Sequence, residues 1–347
     1  MSKLGQFVRE RREDFSDYFG EFFSRVVLLA VLLYLVISII LGMWWSSEPD
    51  LFDVENITQA QLAEQNGRLV TGVTTTAVLI ELAEVLQEKP GGYISNDIAP
   101  PGLWLDNIAH WEYGVLVQVR DLSRVFRKDI SRSQSQSSED SSLKIAEPQF
   151  HFDHNSWALP ASETEYRRGI EAMQDYLNRL SDPQQPAAQF YARADNLRVW
   201  LSEVENRLGG LSRRLSESVG RPSLDLGLAG DRNAEQSTQG EGYQERKTPW
   251  LEIDDVFYEA RGCAWALVHI LRAIEIDFEK VLLDKNALVS LRQIRLELEA
   301  TQETVLSPMI LNGGGFGMLA NHSLTMSSYL SRASAAIIDL RSLLEQG

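Results

Sequence analysis

Residues 26–45, VVLLAVLLYLVISIILGMWW, run for twenty residues without a charge. As a helix rising about 1.5 Å per residue they reach roughly 30 Å, the thickness of a bilayer's hydrocarbon core. Thirteen of the first sixteen are Val, Leu or Ile. At roughly 0.3–0.6 kcal/mol each, they favour insertion by several kcal/mol. Trp44 and Trp45 close the run, where amphipathic rings prefer the headgroup layer. The stretch predicts a transmembrane helix at 26–45, with a short segment 1–25 on one side and residues 46–347 on the other.

Orientation follows the bias of Lys and Arg rather than net charge. Lys3, Arg9, Arg11, Arg12 and Arg25 precede the apolar run; after it no basic residue occurs until Arg68, while Glu48, Asp50, Asp53 and Glu55 crowd the exit. The expected topology is a single pass through a bacterial inner membrane, N-terminus cytoplasmic and the bulk of the chain periplasmic. A cleaved signal peptide is the competing reading. It is opposed by a run longer than the 7–15 residues of a signal's apolar region, and by the lack of a small-x-small cleavage site after Trp45. Phe15, Tyr18, Phe19, Phe22 and Phe23 fall at helical spacing in segment 1–25. They fit an amphipathic helix on the inner leaflet or an early start of the span itself.

The first 25 residues carry five basic and five acidic groups, so the whole formal charge of −16 lies beyond them. Phosphates repel such a domain; nucleic acid is excluded as a partner, and anionic headgroups would not hold it flat on a membrane. The lone Cys263 rules out an intrachain disulfide and lies in an apolar helical stretch, as a small buried residue would. About 300 exported residues suffice for a hydrophobic core.

Helical periodicity dominates those residues. Leu79, Leu82 and Leu86 share a face of a helix predicted over 58–88, which Lys89-Pro90-Gly91-Gly92 stops. Helices are predicted at 108–129 (Val115, Val119, Leu122, Phe126), from a Ser162/Glu165 capping box through Leu180, at 187–218 with a weak point at Gly209-Gly210, from Thr248-Pro249 to about 283, from Asp284 to about 305, and at 320–345. Apolar spacings alternating 4 and 3, as in Leu197, Leu201, Val204, Leu208, Leu211 and Leu215, are those of left-handed helix packing. The expected fold is all-α: an N-terminal transmembrane helix followed by an antiparallel helical bundle. Flexible inserts are expected at about 131–142 (SRSQSQSSEDSS) and 220–247. One internal echo stands out. WLDN (104–107) precedes Trp111, Glu112 and Gly114, and WLEIDD (250–255) precedes Tyr258, Glu259 and Gly262. It fits either a duplicated hairpin or two similar helix starts.

Chemical motifs are sparse. GFGMLA (315–320) has the form of a dinucleotide loop but follows no strand, so a turn between helices is the better reading. SSLK (141–144) sits beside a low-complexity insert, where no rigid pocket would activate the serine. His151 and His154 are one helical turn apart but lack further metal ligands in pattern. Glu252, Asp254, Asp255 and Glu259 gather at a helix start, where the helix dipole favours acids and where a pair of carboxylates could also divide acid and base roles. No cofactor or metal is expected. The best candidate for recognition is the loop 91–107, GGYISNDIAPPGLWLDN, with Tyr93, Asn96, Asp97, Trp104, Asp106 and Asn107 as candidate binding residues. Prolines stiffen it, and long loops in compact domains are often binding surfaces. The competing reading is a structured connection over the end of the bundle.

This loop, the following WEYGVLVQVRDLSR (111–124), and GFGMLANHSLTMSSYLSRASAAIIDLR (315–341) resemble an uncharacterised family of bacterial single-pass inner-membrane proteins. The resemblance covers nearly the whole chain and implies no activity, cofactor or catalytic residue. The expected function is that of a cell-envelope adaptor or scaffold, binding other envelope proteins and open to self-association. The alternatives are a periplasmic enzyme acting on cell-wall or glycan material through Asp97, Asp106, Asp254 or Asp255, and a small-ligand sensor working through a partner.

Overall fold

The computed structural model of the chain describes residues 3–132, 138–182, 184, 188–224, 243–307, 309–314 and 318–346. The middle of each expected insert (133–137 and 225–242), residues 315–317 of the GFGMLA turn, and the side chains that define the expected amphipathic face at 4–21 lie outside this description.

The described residues are overwhelmingly helical. Helix α1 (Lys3–Trp45) contains one stretch, Phe22–Trp45, long and apolar enough to cross a bilayer; only 11% of its most apolar window is buried. There follow α2 (Val54–Gln65), α3 (Val73–Glu88), α4 (Asp106–Val125), α5 (Leu143–Phe150), α6 (Ser162–Ser181) and α7 (Ala194–Ser216). Beyond the 220–247 segment come α8 (Ile253–Asp277), α9 (Glu279–Asp284), α10 (Leu288–Glu299) and α11 (His322–Glu345). Two four-residue strands, β1 (Arg221–Leu224) and β2 (Tyr243–Arg246), pair antiparallel within the expected linker.

The central pair is α4 with α8. At Gly114 an added Cβ would lie 2.1 Å from the carbonyl oxygen of Glu259, and at Gly262 one would lie 2.1 Å from that of Trp111. Each glycine thus admits the backbone three residues before the other, a local two-fold correspondence between the echoed segments. The contacts advance together along both helices: His110 meets Asp255, Gly114 meets Glu259, Gln118 meets Cys263, and Phe126 and Phe278 both pack edge-on to Phe190. The two helices therefore run parallel, unlike neighbours in a simple up-and-down bundle. Other pairs are antiparallel: in α7 and α11, Arg198 faces Glu345, Arg341 faces Glu205 and Ser212 faces Ser327; in α5 and α6, Ser142 meets Asp175 and Phe150 covers Gly169.

Several helix boundaries differ from the sequence pattern for local reasons. The single helix expected over 58–88 is two. Asn66 adopts a left-handed conformation (φ 49°), Arg68 N–H donates to the carbonyl of Ser181, and Gly72 (φ 97°) begins α3. Gly72 has no side chain to cap with. Asp277, at the far end of α8, accepts the N–H groups of Gly72 and Thr75 at 2.7 and 2.6 Å instead, completing the helix start from a distance. Helix α5 arises where no period was legible, with Pro148 inside it and the Asp140 carboxylate accepting the N–H groups of Ser142 and Leu143. The Ser162 capping box does not form, because that hydroxyl donates to the carbonyls of Asp153 and Ser156. Helix α7 continues unbroken through Gly209-Gly210. The helix expected to reach about 283 ends at Asp277, and α10 begins at Leu288 rather than behind an Asp284 cap.

The glycine crossing sets a clear test. Gly114→Ala places a methyl group against backbone that cannot rotate away and should cost about 1–3 kcal/mol, as overpacking does. Gly209→Ala, where an added Cβ meets nothing within 4 Å, should gain about 0.5–1 kcal/mol from helix propensity. Urea unfolding in detergent reads both; equal effects would contradict the close crossing.

Candidate functional site at the base of the helical domain

Loop 91–107 lies at the end of the domain beside α1, and a buried ion pair holds it in place. Lys89 Nζ stands 2.6 Å from Glu112 Oε1, with the two side chains 1% and 0% exposed. The ammonium also donates to the carbonyl of Gly92 at 2.7 Å. The Glu112 carboxylate accepts the N–H groups of Ile94 and Ser95 and the Ser95 hydroxyl. One side chain from the second turn of α4 thereby fixes the start of the loop. Neither partner was a candidate by sequence. Lys89 read as part of a helix stop. Glu112, however, sits on the apolar stripe of α4 between Ile108 and Val115, where an acid calls for a partner.

The six candidate residues divide. Tyr93 and Asn96 face inward: the Tyr93 ring packs edge-on to Tyr166 and its hydroxyl donates to the carbonyl of His154, while Asn96 Nδ2 donates to the carbonyl of Ser156 and to Glu163. Asp97 lies across Gly102, at which an added Cβ would fall 1.8 Å from its Oδ2. Burial and the nearby Glu163 raise its pKa, against the pull of Lys89. Trp104 and Asp106 are exposed and Asn107 is half-buried, at the start of α4.

Of the four carboxylates named for an enzymatic reading, three converge. Asp255 Oδ1 is 3.3 Å from His110 Nε2. Partial burial raises the Asp255 pKa; His110 opposes this, and Asp254 and Asp106 add to it. Asp97 belongs to the other side of the loop, with Glu163 and Lys89. His110 was not singled out in the sequence, although its place one turn after Asp106 was visible. His151 accepts from Arg124 and donates to the carbonyl of Glu147, whereas His154 packs beside Tyr113, so the two serve separate contacts. Among the described residues no three His, Cys, Asp or Glu side chains are grouped to hold a metal ion.

The segment leaving α1 is clamped to the same end. Arg261 donates through Nε to Glu48 at 2.6 Å, and through its remaining nitrogens to the carbonyls of Thr301, Gln302 and Glu303. Cavities of about 530 and 310 Å³ flank this guanidinium, the larger bordered by residues 46–51 and Trp265, the smaller by Phe257, His322 and Tyr329. Deeper in, Phe52 stacks on His269 at 3.7 Å between ring centroids. The Phe52 N–H donates to His269 Nε2, and Nδ1–H donates to the carbonyl of Trp265. Both ring nitrogens are thus committed to the neutral tautomer, and burial lowers the pKa to about 4.

Two consequences are measurable. Glu112→Gln strands the Lys89 ammonium in the interior and should cost about 3–5 kcal/mol, read as a lower urea midpoint; a loss below about 1 kcal/mol would mean that the pair does not hold the loop. For His269, the folded pKa lies below the unfolded value near 6.5, so the folded state binds fewer protons between the two. Its stabilisation is complete above pH 6.5 and is lost as pH falls toward 4, about 2 kcal/mol of it by pH 5. His269→Gln should therefore be less sensitive than the native chain to a shift from pH 7.5 to 5; parallel pH profiles would refute the assignment.

Comparison with known proteins gives one family match. No curated protein and no solved structure matches the chain. A family model matches residues 20–347, taking in most of α1, loop 91–107 and every helix after it. The chain belongs to DUF2333, a family of uncharacterised proteins conserved in bacteria.

Proposed function

We propose that this protein is a single-pass inner-membrane protein, N-terminus cytoplasmic and residues 46–347 periplasmic, that works as a cell-envelope adaptor or scaffold. The observation that carries this reading is the union of α1 with the base of the domain. Tyr34 Oη donates to the carbonyl of Pro100, Gly42 lies under Pro101 and Leu105, Trp45 lies against Gly91, and Glu48 meets Arg261. A signal peptide removed after Trp45 would leave these surfaces bare, which favours a retained anchor over a cleaved leader. A span built into the domain also fixes the domain's attitude to the membrane, as a scaffold requires and a loosely tethered enzyme does not. The acidic exported surface favours protein partners with basic or neutral faces. Within loop 91–107, Asp106 and Asn107 remain the proposed contact residues for such a partner, with Tyr93, Asn96 and Asp97 shaping the loop beneath them and Trp104 on its apolar tip.

Crosslinking in intact cells, then affinity purification and mass spectrometry, tests the proposal, with residues 1–47 alone as the control bait. One or two near-stoichiometric envelope proteins, absent from the control, are expected, and Asp106→Arg should deplete them. A full-length bait recovered alone, or only with itself, would defeat the adaptor reading. Weight would then pass to hydrolysis of cell-wall or glycan material, which the convergence of Asp106, Asp254 and Asp255 around His110 favours; Asp255→Asn should abolish any such activity.

A further inference from the structure

Three residues of α1, Tyr34, Ser38 and Gly42, break its run of large aliphatic side chains at intervals of four, and so share one face. That face is covered at Ser38 and Gly42, and the loop reaches it at the hydroxyl of Tyr34, which itself stays 47% exposed. Ser38 is 2% exposed, Gly42 is buried under Pro101 and Leu105, and the Tyr34 hydroxyl reaches the carbonyl of Pro100 at 2.8 Å. Loop residues 98–105, IAPPGLWL, thus lie alongside the helix within its apolar stretch rather than beyond its end. Tyr34 precedes Trp45 by about 16 Å of helix, and precedes Gly42 by about 12 Å. With the tryptophans at headgroup level, the tip of the loop falls inside the hydrocarbon layer.

The tip is built for that solvent. It carries no charge over eight residues, and Pro100 and Pro101 remove two N–H donors. Four successive carbonyls are occupied: Ala99 by Leu103 N–H, Pro100 by Tyr34, Pro101 by Trp104 N–H, and Gly102 by Leu105 N–H. Irregular backbone at membrane depth is tolerated only when its polar groups are satisfied in this way. Apolar side chains point outward: Ile98, Leu103 and Trp104 on the tip, Trp250 and Leu251 at the start of the parallel partner helix, and Trp157 in the neighbouring loop. All six expose between 49% and 75% of their surface. Asp255, in the first turn of α8, meets His110 of α4, and Asn96 bonds to the carbonyl of Ser156, so the three segments share this end of the domain.

We infer that residues 98–104 form a wedge inserted into the lipid leaflet on the domain's side of the membrane, packed on α1, with Trp157, Trp250 and Leu251 seating the rim in the headgroup layer. The occupant of this apolar surface is lipid, bound by apolar burial, since the domain's charge would repel an anionic membrane. The inference rests on α1 spanning the bilayer, and the test separates the two claims.

The full-length chain carrying Cys263→Ala, which removes its one cysteine, is reconstituted in phosphatidylcholine nanodiscs with single spin-labelled cysteines at Ile98, Leu103, Leu29 and Val289. Leu29 reports the span; the exposed Val289 on α10 reports water. Collisions with dissolved oxygen and with a water-soluble nickel chelate are measured at each site. Labels at Ile98 and Leu103 should lose nickel collisions while keeping oxygen collisions, as at Leu29 and opposite to Val289. Nickel access like that of Val289 would place the loop in water. Shielding from both reagents would place it under protein, such as a second copy of the chain. Either result overturns the wedge while Leu29 still reports a span; a water-exposed Leu29 overturns both claims.

Discussion

Everything in the helical domain is arranged around one contact with no side chains in it, the approach of α4 and α8 at Gly114 and Gly262. Glycine at both positions lets each backbone reach the other's carbonyl, where a single methyl group would collide. The tight crossing brings Trp111 and Trp265 together and buries Cys263 against Gln118. It also carries the starts of both helices to the same end of the molecule, which is why Trp104 and Trp250, and Asp106 and Asp255, share one neighbourhood. The base, with its loop, clamp and acidic cluster, follows from that parallel arrangement.

Around this pair, buried charge performs the long-range fastening. Glu112 holds the loop through Lys89 and three further donors, and Asp277 completes the start of α3 from 200 residues away. Asp121, on α4, takes a two-pronged contact from Arg207 of α7. In each case an acid inside the core answers donors from another part of the chain. Burying these groups stabilises little by itself, but losing one partner is costly, so the contacts select this arrangement over looser packings.

The sequence made the helices legible where large apolar side chains repeat every three to four residues, as in α7, α8 and α11, and where Pro90-Gly91-Gly92 ends α3. It concealed what depends on contacts far along the chain. The break between α2 and α3 needs the carbonyl of Ser181 and the Asp277 carboxylate, neither visible locally. Helix α5 hid behind Pro148, and Ser162 looked like a cap because nothing nearby announced that its hydroxyl would turn to Asp153 and Ser156. Loop 91–107 was recognisable as a unit from its glycines, prolines and aromatics. Which of its residues face inward was not, because Tyr93 and Asn96 point toward Tyr166 and Glu163, about seventy residues later. The echo of WLDN and WLEIDD was readable as similarity; that the two copies meet as a pair was not.

The parallel partnership of α4 and α8 has a temporal side. The two glycines are separated by almost 150 residues, and the whole of α5, α6 and α7 lies in the return path between them. At synthesis rates of about 5–20 residues per second, α4 leaves the ribosome roughly 7 to 30 seconds before its partner exists. Throughout that interval Gly114 and Trp111 lack the helix they pack against in the fold, although α3 is already present beside α4. Such distant contacts form late and leave apolar surface open to aggregation meanwhile. The nascent chain therefore has reason to stay with a chaperone until Gly262 arrives.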